Sequence, residues 1–176
     1  YTRDLKILVC SGENLTTIPS GLDQTLRKLD FSNNNIEFIN EKAFKNLIHI
    51  KVLNLSYNKL KEISKYAFTE LNNLQEVDIS FNYLDYLHPD IFVSNRHMSK
   101  LFLNNTDISL QLYVPFLKSN SLTYLDISFC KITYIHRKTF DNLPNLEELN
   151  VKGNCLTDTE LDTLRSFSQI KKLHFD

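Results

Sequence analysis

A repeat of 24 residues runs through the sequence without a slip, and it restricts the fold more than any other feature. Apolar residues recur at this interval, at what we number position one of each repeat: Leu26, Ile50, Leu74, Met98, Leu122, Leu146 and Ile170. Repetition of this length is typical of solenoid proteins, in which each unit buries its apolar face against its neighbour. The sequence therefore predicts six stacked coils and a partial seventh that starts at residue 170.

Other columns keep the same register. Positions four, six and eleven are apolar, and the alternation at positions four and six predicts a short strand with one buried face. Position nine reads Asn34, Asn58, Asn82, Thr106, Cys130 and Asn154. Position nineteen reads Phe44, Phe68, Phe92, Phe116, Phe140 and Leu164. Asparagine after a strand suits a turn, because its side chain hydrogen-bonds to backbone groups that would otherwise be buried without partners.

The return path of each repeat is too short for a full helix, so we expect loops, turns and extended segments there. The exception is residues 157–167 (TDTELDTLRSF), which predict a short helix capped by Thr157 or Asp158. Its apolar residues Leu161, Leu164 and Phe167 lie on one face.

Repeats four and six depart from the template. Repeat four has Thr106, Gln111 and Ser119 at positions nine, fourteen and twenty-two, and repeat six has Lys152 where most repeats have serine. These changes are either ordinary repeat drift or a local change in curvature that shapes a site.

The pattern resembles the leucine-rich-repeat family, and its period matches the "typical" extracellular class. The segments that carry the resemblance are residues 26–36 (LRKLDFSNNNI), 50–60 (IKVLNLSYNKL) and 74–84 (LQEVDISFNYL). The family implies an α/β-type repeat solenoid, a horseshoe with a parallel β-sheet on the concave face. Mostly loops and short turns would form the convex face. Toll-type receptor ectodomains and secreted leucine-rich immune proteins are the nearest kinds within it.

We expect two parts, a partial N-terminal cap at residues 1–25 and the solenoid at residues 26–176. Residues 5–26 resemble the end of the family's cysteine-bearing cap, with Cys10 at the final cap cysteine and its partner cysteines absent. The other end stops inside a seventh strand, and no cysteine cluster follows. Because solenoid ends need covering, we expect a fragment or an end that another molecule covers.

Candidate ligand-binding residues lie at strand positions that point away from the core and at the adjoining edge of the sheet. They are Tyr57, Phe81, Phe102, Tyr124 and Phe129, with the carboxylates Asp78 and Asp126. The aromatic residues predict a cluster across repeats two to five, and exposed aromatic clusters are typical of protein interfaces. The alternative is that the aromatics at position eight pack on each other and merely cover the sheet edge.

Three sequons predict glycosylation if the protein is exported: Asn14-Leu15-Thr16, Asn54-Leu55-Ser56 and Asn104-Asn105-Thr106. Asn14 lies in the cap and is the best candidate. Asn54 and Asn104 lie on the concave side, where a glycan at Asn54 would compete with a ligand.

The three cysteines leave at least one without an intrachain partner. Cys10 and Cys155 are the disulfide candidates, and Cys155 is the candidate for a bond to another chain. Cys130 replaces an inward asparagine and should be a buried thiol. A bond between Cys130 and Cys155 is geometrically doubtful.

Net charge, hydropathy and motif content disfavour nucleic-acid binding, membrane insertion, metal binding and catalysis. The net charge of −1 disfavours a nucleic-acid protein, and no apolar run is long enough to insert in a membrane. The histidines at equivalent positions lie two rungs apart, which is too far for shared metal ligation, so no metal and no cofactor are expected. No catalytic motif occurs, and we predict that the protein is not an enzyme.

The sequence therefore predicts an extracellular recognition module, a receptor ectodomain or secreted immune protein that binds a protein or other macromolecule on its concave face. Two alternatives stay open. One is an adhesion or scaffold component that dimerises through its open end or through Cys155. The other is a cytosolic adaptor with reduced thiols.

Overall fold

A computed structural model describes residues 6–176, so the first five residues of the expected cap lie outside it. Eight short strands, one that precedes the first repeat and one from each repeat, form a parallel sheet in the order of the chain. They are β1 (Ile7–Val9), β2 (Lys28–Asp30), β4 (Val52–Asn54), β6 (Glu76–Asp78), β7 (Lys100–Phe102), β8 (Tyr124–Asp126), β9 (Glu148–Asn150) and β10 (Lys172–His174). Each of the seven repeats thus supplies a strand at positions three to five.

The pairing of the strands follows the repeat. Leu53 pairs with Val77, and Val77 pairs with Leu101, an offset of 24 residues in each case. Strand β1 joins the same sheet by pairing Leu8 with Leu29. The expected solenoid with a parallel sheet is confirmed.

The core lies behind this sheet. The central residue of each of the six strands supplied by the full repeats is buried, whereas the residues on either side of it are mostly half-buried or exposed. The phenylalanine column fills the far side of the coils, and neighbouring rings stack with centroids 6.0 Å apart for Phe44 and Phe68 and 5.3 Å apart for Phe68 and Phe92. One continuous apolar core therefore joins all the repeats.

The asparagine column forms a ladder of hydrogen bonds beside this core. The Nδ2 atom of Asn82 donates to the carbonyl oxygen of Ile79 in its own repeat (3.0 Å) and of Leu55 in the preceding one (3.0 Å). Its Oδ1 atom accepts from the Leu60 backbone N–H at 2.9 Å. Asn58 and Asn154 make the corresponding contacts, so each asparagine ties two coils together.

The return paths consist mainly of turns and extended segments, as expected. A second, two-stranded parallel sheet pairs β3 (Phe38–Ile39) with β5 (Glu62–Ile63) on the convex side of the first two repeats. The predicted helix is confirmed as α1 (Asp158–Arg165), with Thr157 at its N-cap. Leu164 is fully buried, and the Phe167 ring meets Phe140 at a centroid distance of 5.3 Å.

Candidate binding surface

The edge aromatics, which we define as Tyr57, Phe81 and Phe129, follow strands β4, β6 and β8 at position eight. The rings of Tyr57 and Phe81 stack nearly parallel, with centroids 4.1 Å apart and planes inclined by 8°. Stacking does not remove them from solvent, because Tyr57 stays 51% exposed and Phe81 37% exposed. Stacking on a neighbour and availability to a partner therefore occur together in this pair.

Position eight has an unusual backbone conformation in every full repeat. The φ angles are positive at Asn33, Tyr57, Phe81, Asn105, Phe129 and Gly153. Asparagine and glycine tolerate this left-handed region, whereas an aromatic residue there costs about 1 kcal/mol. The chain thus has aromatic side chains at three positions where asparagine or glycine would adopt the backbone conformation at a lower cost in free energy. This strain was not predicted from the sequence, although asparagine and glycine in the same column indicate a left-handed backbone.

Phe129 is held differently from the other two edge aromatics. Its ring lies directly against Gly153 in the next repeat, where a Cβ atom would overlap the ring. Phe129 is 57% exposed on its other face. A glycine in the next rung therefore positions this side chain across the edge of the sheet.

The concave pair, Phe102 and Tyr124, lies on the sheet itself. The two rings are tilted by 47° with centroids 5.2 Å apart, and both side chains are half-buried. They line a shallow depression of about 410 Å³ whose other walls come from Lys100, Thr123, Glu147 and Glu148. Within the described residues no ring contact joins this pair to the edge aromatics. The five predicted aromatics are therefore two ring pairs and a separate phenylalanine.

The carboxylates of Asp78 and Asp126 are engaged in the turns that follow their strands. In each, Oδ1 accepts the backbone N–H and the hydroxyl of the serine two residues on, Ser80 or Ser128. Asp126 is buried, and its Oδ2 also accepts from the Asn150 amide at 3.0 Å. These carboxylates therefore shape the concave surface, and Asp78 is the more accessible of the two.

Charges around the depression largely compensate each other. Glu148 accepts hydrogen bonds from Lys172 Nζ at 2.8 Å and contacts His174 Nε2 at 2.7 Å. The bond from Lys172, followed by the contact with His174, holds the pKa of Glu148 below its usual value. On the other side Lys100 lies 3.9 Å from Glu76. The concave face thus offers aromatic surface between paired charges.

Tyr124 is expected to ionise unusually late. Burial, followed by the negative charge of Asp126, raises the pKa of Tyr124 from 10.0 to about 12. Above pH 10 the unfolded chain loses a proton that the folded chain keeps, so stability should fall as the pH rises from about 10 to 12. Phenolate absorbance in the near ultraviolet should show a late phase that Tyr124→Phe removes. A late phase unchanged in that variant would assign it to another tyrosine and contradict this environment.

If the chain is exported from eukaryotic cells, Asn14 is expected to carry a glycan. It is exposed, whereas Asn54 and Asn104 are half-buried in or beside the strands, and glycans need solvent-exposed sites. The intact mass of protein secreted from eukaryotic cells should fall on glycosidase treatment, and Asn14→Gln should abolish that fall. Asn54→Gln serves as the control and should leave the glycan mass unchanged. A glycan on Asn54 would contradict a ligand site on the concave sheet.

The three cysteines are free thiols, so no disulfide links them to one another. Cys130 is buried, as its repeat position predicted, and burial raises the pKa of its thiol. Its Sγ lies 3.3 Å from the Leu103 carbonyl oxygen, which takes the place of an asparagine contact. Cys155 is exposed and Cys10 half-buried, so Cys155 stays the better candidate for a bond to another chain.

The described part of the chain shows no group of three or more histidine, cysteine or acidic residues that would hold a metal ion. Within the same residues no helix has the length and apolar character needed to cross a membrane.

Comparison with known proteins places these observations in a family. The model of the family described as leucine rich repeat matches residues 24–84 and 120–176. Human Toll-like receptor 8 is 30% identical over 160 residues, which is 87% of this chain and 13% of that receptor. Human leucine-rich repeat transmembrane protein FLRT2 is 32% identical over 107 residues, 60% of this chain and 16% of that protein. The chain thus spans a small part of the length of these relatives.

The solved structure of human 5T4 (Wnt-activated inhibitory factor 1, trophoblast glycoprotein) superposes with a TM-score of 0.76 at 22% identity, covering 99% of this chain and 78% of that one. Toll in the Toll–Spatzle complex of Drosophila superposes with a TM-score of 0.71 at 15% identity, covering 99% and 27%. At these identities the likeness shows the fold, and the family assignment rests on the repeat columns and the family model. On that basis the chain belongs to the leucine-rich-repeat family.

Proposed function

We propose that the protein is an extracellular recognition module that binds a protein ligand through its concave face and the adjoining sheet edge. The observation that carries this proposal is the exposed stack of Tyr57 and Phe81, held at backbone angles that disfavour aromatic residues. Backbone strain that persists at a surface is a reason to infer function, because packing alone would favour asparagine or glycine there. Aromatic side chains are also enriched at the energetic centres of interfaces.

The concave pair extends this surface onto the sheet. A ligand that covers Phe81 and enters the depression at Phe102 and Tyr124 would bury apolar rings between the compensated charges of Lys100 and Glu148. Paired charges at the rim can orient a bound ligand but attract it only weakly from a distance. We therefore expect the association rate constant to depend little on salt concentration.

The relatives support the extracellular assignment and the nature of the ligand. They include Toll-like receptors and a transmembrane protein, and the Toll structure is a complex with the protein Spatzle. Because the chain spans a small part of those proteins, its ligand is a proposal and no partner is carried over by name.

Capture of extracellular proteins tests the proposal. The secreted protein, immobilised through a terminal tag, is exposed to extracellular fluid of the source tissue, and bound proteins are quantified by mass spectrometry. We expect at least one protein that binds the native chain and is lost with the double variant Tyr57→Asn, Phe81→Asn. Tyr66→Asn is the matched control, because Tyr66 is exposed on the return path.

Bound proteins that are retained equally by the double variant and by the control would contradict a ligand site at this edge. Loss of the bound protein from both variants would mean that exposed aromatic side chains in general retain it, and this result would also contradict a ligand site at this edge.

A second candidate function is assembly of chains, and the exposed thiol of Cys155 favours it. In that case the secreted protein would migrate as a dimer without reductant, and Cys155→Ser would make it monomeric. A monomer in both forms would exclude assembly through this thiol and leave the recognition module.

A further inference from the structure

The flank where each coil returns to the sheet contains a local break in the repeat. Position twenty-two is apolar in four repeats and polar in two successive ones: Leu47, Leu71, Asn95, Ser119, Leu143 and Phe167. Both polar side chains are buried. Because each replaces an apolar residue that packs in the other coils, space opens between repeats three and four.

A pocket of about 450 Å³ occupies this space, just before strands β7 and β8. We call it the flank pocket and define it by Phe92, Val93, Asn95, Arg96, Lys118 and Ser119. Its volume falls in the range of ordinary small-ligand sites. It is separate from the edge aromatics, which follow the strands at their other end.

The floor of the flank pocket carries an unpaired acceptor. Asn95 is 1% exposed, and its Nδ2 donates to the carbonyl oxygens of Phe68 and Leu71, both at 2.9 Å. Because a carbonyl oxygen can only accept a hydrogen bond, these two contacts require that the NH₂ end of the Asn95 amide faces them. Oδ1 is left without any hydrogen-bond partner. A buried acceptor without a partner is costly, so the site calls for an N–H or O–H donor.

The neighbouring hydroxyls do not supply that donor. Ser121 Oγ donates to the Met98 carbonyl at 2.8 Å, and Ser119 Oγ accepts from the Leu122 N–H at 3.2 Å. Both hydroxyls thus have partners, whereas the buried Asn95 Oδ1 has none.

The rim of the flank pocket is positively charged. Arg96 and Lys118 are exposed, and neither forms a salt bridge within residues 6–176. Some other lysines of the solenoid, such as Lys61 and Lys131, pair with an acid in a neighbouring coil, so what distinguishes Arg96 and Lys118 is their place at the rim of a pocket. Two unpaired cations beside an unpaired acceptor favour a ligand that carries both a carboxylate and a donor.

We propose that the flank pocket binds an acidic peptide segment of a partner protein. Asn95 Oδ1 is covered by its neighbours in the free protein, so the bound peptide shifts these side chains and donates a peptide N–H to it. The carboxylate of an aspartate or glutamate lies between Arg96 and Lys118, and an apolar side chain packs on Val93. The apolar wall formed by Phe92 and Val93 favours a peptide over an acidic sugar. This site is independent of the concave face and of the function proposed for it.

Titration with a defined probe tests the proposal. The probe is N-acetyl-leucyl-aspartyl amide, added to the folded secreted chain while amide signals are followed by nuclear magnetic resonance. We expect saturable shifts of the Asn95 side-chain NH₂ signals and of the Ser119 and Ser121 backbone signals. The isosteric neutral probe, N-acetyl-leucyl-asparaginyl amide, should bind about tenfold more weakly.

Variants locate the site. Arg96→Gln and Lys118→Gln should each weaken binding of the acidic probe about tenfold, whereas the matched control Arg137→Gln, an exposed cation outside the pocket, should leave it unchanged. The double variant Asn95→Leu, Ser119→Leu restores the apolar column and should abolish binding while the protein unfolds at the same or a higher temperature. If this double variant misfolds, Arg96→Gln and Lys118→Gln still test the site, because each changes only one exposed side chain.

Three results would overturn the proposal. The first is no saturable shift, which would mean that water alone fills the pocket. The second is equal binding of the acidic and neutral probes, or an equal effect of Arg137→Gln. The third is tighter binding of glucuronate than of the acidic peptide, which would assign the pocket to a sugar.

Discussion

Replacing Asn82 by alanine is expected to lower the free energy of unfolding by about 2–4 kcal/mol, a sizeable part of the stability of a chain of this size. Asn82 is 4% exposed and makes hydrogen bonds to three carbonyl oxygens and one backbone N–H. Alanine leaves the Leu60 N–H buried without a partner and removes the link between repeats two and three. Chemical denaturation followed by far-ultraviolet circular dichroism measures the change.

Two variants bracket this effect. Asn73→Ala removes a half-buried asparagine whose Nδ2 donates to the Ile48 carbonyl in a solvent-exposed hydrogen bond, and it should cost less than about 1 kcal/mol. Asn82→Thr should fall between the two, because Thr106 occupies the same column and its hydroxyl donates to the Leu103 carbonyl at 2.7 Å. If Asn82→Ala were as stable as Asn73→Ala, the ladder would not hold the coils together.

Replacing Phe81 by asparagine is expected to weaken binding of the captured ligand about thirtyfold while leaving stability nearly unchanged. Loss of a central aromatic side chain of an interface costs about 2 kcal/mol of binding free energy. In the free protein two contributions oppose each other. Removal of the ring loses about 0.5–1.5 kcal/mol of stacking on Tyr57, and asparagine relieves about 1 kcal/mol of strain at a left-handed φ angle.

Binding is measured by surface plasmon resonance and stability by thermal unfolding on the same preparations. Tyr66→Asn, which alters an exposed aromatic of the return path, should leave the affinity unchanged. A Phe81→Asn variant that binds normally but unfolds at a much lower temperature would make the edge aromatics a structural feature and not a binding site.

The fold was predictable because most coils repeat the same residue types at the same positions. A strand at positions three to five, an asparagine at position nine and a phenylalanine at position nineteen are each visible in the sequence, and stacking multiplies them. The helix after Cys155 was also predictable, since residues 157–167 combine a cap with three apolar residues on one face. The paired sheet of β3 and β5 was not, because two-residue strands leave no periodicity to read.

The candidate surface was only partly predictable, since repeat positions give the direction of a side chain but not its partners. The sequence placed Tyr57 and Phe81 at the same edge, yet it joined them in one cluster with Phe102 and Tyr124, which form a separate pair. It offered Asp126 as a ligand contact, whereas that carboxylate is buried in bonds to Ser128 and Asn150. Such contacts depend on side-chain packing between coils.

The flank pocket was also only partly predictable from the sequence. In the sequence, Ser119 departs from the repeat template, which is consistent either with ordinary drift or with a change that shapes a site. Only the structure reveals that Asn95 in the preceding coil is buried beside it with an unpaired oxygen. Two adjacent departures in one column are a signal that sequence reading alone can use in other solenoids.

Site-specific photocrosslinking tests the central claim of ligand binding on the concave face most directly. Benzoylphenylalanine is introduced singly at Tyr57, Phe81 or Phe102 and, as controls, at the exposed return-path residues Tyr66 and Tyr134. With the captured ligand present, illumination should give covalent complexes from the first three positions and none from the two controls. Crosslinks from Tyr66 or Tyr134, with none from Phe81 and Phe102, would place the ligand on the convex side and contradict the account.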